Sequence, residues 1–232
     1  MLQAPCPMPL TPYSMPHAHP PITINLMSPY YQKAFAYLQQ KGRETYGNFF
    51  LLYPNDTQVI GKLLAWFLRD KATADLKGIN LQKGILLSGP VGSGKTSLMN
   101  LMRHFSREQA PHFMKPCRDI AFEFEKDGFE ILRRYSGITY LAGAKPKIIK
   151  TFCFDDLGTE QILTHYGKEC NVMAEVILSR YENFTRHHRL THFTTNLSAD
   201  EIEEIYGPRV RSRLREMCNL IAFPAETPDK RK

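Results

Sequence analysis

The chain has 232 residues, 43% of them hydrophobic and 23% charged, with a formal net charge of +7. That is ordinary for a soluble globular protein, enough for one α/β domain with a modest extension, and basic enough to favour nucleic acid or another acidic partner unless the surplus serves only solubility. Five scattered cysteines without Cys-x-x-Cys or Cys/His spacing support neither zinc nor a disulfide framework, and the absence of a long apolar run or a basic leader predicts a cytoplasmic protein with no membrane partner.

Residues 1–28 are expected to form a disordered, proline-rich tail. Half of the sixteen prolines fall at or before Pro29, and no charged side chain precedes Lys33. Proline at that density blocks helices and favours extended, solvated backbone. A docking peptide is the alternative; His17 and His19 lack further ligands for a metal.

Residues 29–72 read as an N-terminal helical segment. Tyr31, Phe35 and Leu38 recur at helical spacing from Tyr30 until near Gly42. A second helix is predicted over Thr57 to Arg69, burying Val59, Ile60, Leu63, Leu64 and Trp66. Between them, the aromatic link from Tyr46 to Tyr53 either packs or shelves an adenine ring.

The stretch that organises residues 73–223 begins as a buried strand at Ile85-Leu86-Leu87. It runs without a gap into Gly89-Pro90-Val91-Gly92-Ser93-Gly94-Lys95-Thr96-Ser97, and a helix continues through Met102. Strand, glycine loop and helix start in that order are the context of a phosphate-binding loop. Glycines let successive N–H groups turn toward an anion, and the helix start adds unpaired donors and a positive dipole end. Lys95 would charge-pair the β- and γ-phosphates of a nucleotide, and the Thr96 hydroxyl would ligate Mg²⁺.

Downstream, Pro111 to Lys115 is a candidate strand, and Asp119 to Tyr135 reads as one amphipathic helix. Its predicted apolar side carries Ile120, Phe122, Phe124, Phe129, Ile131 and Leu132. Arg133, Arg134, Lys145, Lys147 and Lys150, interleaved with Tyr135 and Tyr140, read either as a single-stranded DNA surface or as a solvated basic loop. A second buried strand, Ile148 to Phe154, ends in Asp155-Asp156 about sixty residues beyond Lys95. Carboxylates there suit metal binding by Asp155 and orientation of the attacking water by Asp156. A helix over Met173 to Phe184 follows, then a strand from Leu190 tipped by Asn196. Ser198-Ala199-Asp200-Glu201 is a capping box. Tyr206-Gly207-Pro208 breaks that helix, and Arg209 to Arg215 opens another segment. Leu220 to Phe223 is a final strand before a charged tail over 224–232.

Taken together, the Gly89–Thr96 loop, Phe154-Asp155-Asp156-Leu157-Gly158, Thr194-Thr195-Asn196-Leu197 and Tyr206-Gly207-Pro208-Arg209-x-x-Ser212-Arg213-Leu214 resemble the AAA+ ATPases of the DnaC/IstB type. These are replicative helicase loaders and transposition helper ATPases, and the resemblance spans about residues 45 to 223. It implies a P-loop three-layer αβα sandwich with a mostly parallel sheet and no C-terminal helical lid, so no sensor-2 arginine is assigned. It also implies that Asn196 is the sensor-1 amide, Arg213 an arginine finger acting on a neighbouring subunit, and Arg209 an interface residue. Lys95, Asp156, Asn196 and Arg213 are then the catalytic set, with ATP and Mg²⁺ as cofactors. The implied function is DnaC-like helicase loading, with ATP-dependent homo-oligomerisation and single-stranded DNA contact; a transposase is the alternative protein partner. Aspartate at 156, where many AAA+ proteins carry glutamate, implies slow hydrolysis. A small-molecule P-loop kinase is the reading from another class; Asn196 at a strand tip and the lack of an acceptor motif argue against it.

Overall fold

The computed structural model describes residues 28–106, 111–136, 151–160, 163–165 and 168–231. Its strands are β1 (Gly84–Ser88), β2 (Phe113–Pro116), β3 (Phe152–Leu157), β4 (Leu163–His165), β5 (Lys168–Cys170), β6 (Thr191–Thr195) and β7 (Cys218–Ala222). Five form one sheet in the order β2-β3-β6-β1-β7, with every pairing parallel. β4 and β5 make a separate antiparallel hairpin. The helices are α1 (Pro29–Tyr46), α2 (Thr57–Phe67), α3 (Lys71–Leu76), α4 (Lys95–Met102), α5 (Cys117–Asp127), α6 (Glu130–Ser136), α7 (Val172–His187) and α8 (Ala199–Met217).

Alternation along β1 shows how the layers assemble. Ile85 and Leu87 join an apolar cluster with α1, α2, α3 and α4. Leu86 joins the opposite cluster, with residues of α5, α6, α7 and α8. Successive strand side chains point to opposite faces, so a central strand covered by helices on both sides must be apolar throughout. Helices α1, α2, α3 and α4 therefore pack in one layer on that face. Ile60, Leu63 and Leu64 of α2 are wholly buried, and each such side chain stabilises by about 1.5–3 kcal/mol relative to exposure. Trp66 belongs to the same layer, and its indole N–H donates to the Lys83 carbonyl at 2.7 Å.

Several expectations are corrected. The helix predicted over Asp119 to Tyr135 is two, α5 and α6, separated at Gly128 (φ 58°). Phe122 and Phe129 are exposed rather than on an apolar side. Tyr135 is buried, with its hydroxyl donating to Glu123 at 2.9 Å, so it offers no ring for base stacking. Arg134 pairs with Glu123 and Asp127, and Arg133 with Glu130, which makes that surface mixed in charge. Tyr140, Lys145, Lys147 and Lys150 lie outside the described residues, as do Ile148 and the tail up to residue 27. Helix α3 and the β4–β5 hairpin were not anticipated. Cys117, Cys153, Cys170 and Cys218 are free, and among the described residues no helix is long and apolar enough to cross a membrane.

The capping box is present: Ser198 Oγ accepts the Glu201 N–H at 3.3 Å, and Glu201 Oε2 accepts the Ser198 N–H at 2.7 Å. The break is present too, since Gly207 (φ 85°, ψ 163°) interrupts α8 before Pro208. Beyond β7, residues 223–231 form no helix.

Candidate nucleotide site

β1, β6 and β3 are neighbours in the sheet and point the same way, so their carboxyl ends lie side by side. Ligands in open parallel sheets bind at that edge. After β1, Gly92 (φ 77°) and Gly94 (φ 92°) take the left-handed conformation that a Cβ disfavours. Lys95 then opens α4, whose first N–H groups have no partner within the helix. Its ammonium is almost wholly buried and donates to the Gly89 and Pro90 carbonyls at 2.8 Å each. Burial lowers its pKa, while Asp156 and Asp155 act to hold it up. Lys95 is thus a cation arched over its own loop, with donors that phosphate oxygens would draw away from the carbonyls.

The carboxylates of β3 are put to different uses. Thr96 Oγ1 donates to Asp155 Oδ1 at 2.9 Å. The same oxygen accepts from Thr194 Oγ1 at 2.7 Å, and Thr194 Oγ1 in turn accepts the Asp156 N–H at 2.8 Å. The β3–β6 register slips between Phe154 and Leu157, and Asp156 has φ 54°. A bulge of this kind re-aims consecutive side chains. Asp155 turns inward to Thr96, and Asp156 faces a cavity of about 260 Å³. Burial raises the Asp155 carboxyl pKa; the Thr194 and Thr96 hydrogen bonds oppose that rise, and Asp156 adds to it.

Val91, Gly92, Gly94, Lys95, Thr96, Ser97, Asp156 and Asn196 line this cavity. Gly89 and Pro90 lie beneath it as acceptors for Lys95, and Ser93 is buried. Phe49, Phe50, Leu51 and Tyr53 form another wall, with Phe49 fully exposed. Arg213 is elsewhere, on α8. Its guanidinium stacks 4.3 Å from the Tyr181 ring centroid and donates to Tyr181 Oη at 3.1 Å and to Glu216 at 3.4 Å. Arg209 is exposed on the same helix.

Three features escaped the sequence reading. Thr194 was quoted in the motif around Asn196 but given no role of its own. Lys230 and Arg231, read only as part of a charged tail, line the cavity. Asp56, 3% exposed, is the ion-pair partner of Lys230 at 2.6 Å.

The donor set fits Mg²⁺. Thr96 and Asp155 offer hard oxygen atoms that already converge, one of them anionic. Among the described residues no group of three or more His, Cys, Asp or Glu side chains is arranged to hold a metal ion. Mg²⁺ needs no such cage, because it keeps several waters and takes one or two carboxylates together with substrate phosphates. A cation beside Asp155 would also offset the cost of burying its charge.

The fold is a three-layer αβα sandwich, with a parallel five-stranded sheet carrying the glycine loop, the paired aspartates and the strand-tip asparagine on one edge. Similar solved structures include the following three. A protein assigned as a primosome component of Streptococcus pyogenes serotype M3 is 18% identical with a TM-score of 0.50, over 75% of this chain and 82% of that one. The DnaC helicase loader is 20% identical with a TM-score of 0.45, over 68% of this chain and 90% of that one. DnaI is 18% identical with a TM-score of 0.44, over 61% and 73% respectively. No protein-family model and no curated protein sequence matches the chain.

Proposed function

We propose that this chain is an ATP-binding and ATP-hydrolysing switch of the DnaC type that helps to load a replicative helicase, oligomerises on ATP and contacts single-stranded DNA. The observation that carries the reading is the hydrogen-bonded chain Thr96–Asp155–Thr194–Asp156 set beside Lys95 and Asn196 on one cavity. The glycine loop and the α4 N-terminus cradle the triphosphate. Lys95 shifts its ammonium from the Gly89 and Pro90 carbonyls to phosphate oxygens. Thr96 and Asp155 hold Mg²⁺, which when bound supplies Lewis-acid neutralisation of the phosphates. Asp156 orients the attacking water, and the Asn196 amide donates to that water or to the γ-phosphate. Phe49 offers its exposed ring to the adenine. Arg213, presented by a neighbouring copy, stabilises charge on the transferring group. DNA contact falls away from the Arg133–Tyr135 face, whose charges are shared and whose tyrosine is buried.

The test pairs two variants. Lys95→Ala lowers ATP affinity about 100-fold or more. Arg213→Ala keeps nucleotide binding but abolishes ATP-dependent oligomerisation and lowers turnover about 10³-fold, read by light scattering and by phosphate release with and without single-stranded DNA. Wild-type turnover in Arg213→Ala would overturn the shared site, and failure of the wild type to retain labelled ATP with Mg²⁺ would overturn the whole reading.

A further inference from the structure

The segment after β7 folds back over the glycine loop. The Lys230 N–H donates to the Gly92 carbonyl at 3.0 Å. A side chain at Gly92 would run into the Asp229 carboxylate. The Lys230 ammonium is held on every side: it pairs with buried Asp56 at 2.6 Å, donates to the Ser93 carbonyl at 2.7 Å, and lies 4.7 Å from the Phe223 and 5.3 Å from the Tyr53 ring centroids. With its side chain only 13% exposed, Lys230 is an anchor whose charge is already committed.

Arg231 is different. Its side chain is 66% exposed and lines the same cavity as Lys95, Thr96 and Asp156. Its backbone N–H and Nε both donate to Asp229 Oδ1, at 2.9 and 3.1 Å, and Nη2 donates to Asp229 Oδ2 at 2.8 Å. This fork fixes the direction of the guanidinium. The pair is solvent-exposed, where such pairs are weak, so a polyphosphate with several negative charges competes well against one carboxylate. The hydrogen bonds to Asp229 raise the Arg231 pKa, with Asp156 adding to the rise; burial lowers that of Lys95, with Arg231 adding to the fall.

We infer that Arg231 is a phosphate-binding residue of the nucleotide site, supplied by the same chain, and that Lys230 is the positioning residue that straps it across the glycine loop. The inference rests on the nucleotide reading above and adds to it a second cation that no motif marks. An arginine fork suits two phosphate oxygens at once. It should therefore contribute more to a triphosphate than to a diphosphate.

The test is titration of the full chain with fluorescent ATP and ADP analogues in Mg²⁺. Arg231→Ala is expected to weaken the ATP analogue about 5- to 10-fold and the ADP analogue less, Arg231→Lys to restore part of the loss, and the melting temperature without nucleotide to stay unchanged. Lys230→Ala is expected to weaken ATP in the wild-type background and to cost nothing further in the Arg231→Ala background, because it acts through Arg231. Equal binding of both analogues by Arg231→Ala and wild type overturns the inference while leaving the nucleotide site intact. Tighter binding by either variant also overturns it, since the strap would then obstruct the site. A wild type that binds neither analogue overturns the nucleotide reading itself.

Discussion

Thr194 joins the two carboxylates of the site through one hydroxyl, donating to Asp155 and accepting from the Asp156 backbone. It is wholly buried, so no water replaces those bonds when the hydroxyl is removed. Thr194→Val, nearly isosteric, leaves the Asp156 N–H unpaired and is expected to cost about 1–3 kcal/mol, measured by urea denaturation. Turnover should fall more steeply than ATP affinity, because Asp156 loses its aim while Lys95 does not. That the glycine loop, Lys95, Thr96, Asp155, Asp156 and Asn196 come together was legible, because glycine-rich loops and polar residues at the ends of apolar strands stand out in the chain. Thr194 was not, since threonine in a strand carries no such signature. Lys230 was illegible for a different reason: its partner Asp56 is 174 positions away, and a run of charges carries no sign of a partner so distant.

At the level of elements, β6 shows how polar residues are accommodated in a buried strand. His192 is wholly enclosed, edge-on to Trp66 with ring centroids 4.8 Å apart and 5.1 Å from His112. Its Nδ1 accepts the Ile85 N–H at 3.2 Å, while His112 Nε2 donates to the Met99 carbonyl at 3.1 Å. Both rings are held neutral by burial; His112 is pushed down to about 4, with Arg103 adding to the effect, and His192 lies well below its ordinary value. Folded-state values below the unfolded value of about 6.5 mean that the unfolded chain binds more protons as pH falls. This contribution to stability is complete above about pH 6.5 and is lost progressively toward pH 4, at up to about 1.4 kcal/mol per pH unit for each ring. Chemical denaturation across pH 4–7 should show that slope, and His112→Gln, which keeps a donor for Met99, should reduce it by about half.

Long, strongly periodic elements such as α1, α2 and α7 were readable in the chain. Helices α5 and α6 ran together because Ile120, Phe124 and Ile131 keep helical spacing across Gly128, and the β4–β5 hairpin lacks the apolar alternation that announces strands. α8 was readable down to its break. There the Tyr206 hydroxyl bonds Glu160, whose other oxygen accepts the Gly158 N–H at 3.0 Å. The loop after the paired aspartates is thereby tied to the turn preceding the segment that carries Arg209 and Arg213.

Considered as a whole, the molecule closes its cavity with side chains drawn from α4, from the link between α1 and α2, and from the residues that follow β7. A ligand seated there contacts portions of the chain that only the completed sheet brings together. Free nucleotide at about 100 times its dissociation constant should therefore stabilise the fold by about 2.7 kcal/mol, seen as a rise in melting temperature that Lys95→Ala abolishes. Because the clasp between Lys230 and Asp56 joins the segment after the last strand to the link between α1 and α2, occupancy of the cavity becomes a report on whether those two distant stretches are in place. If the proposed nucleotide binds there, cleavage of the chain between Phe223 and Lys230 should weaken its hold on the cavity.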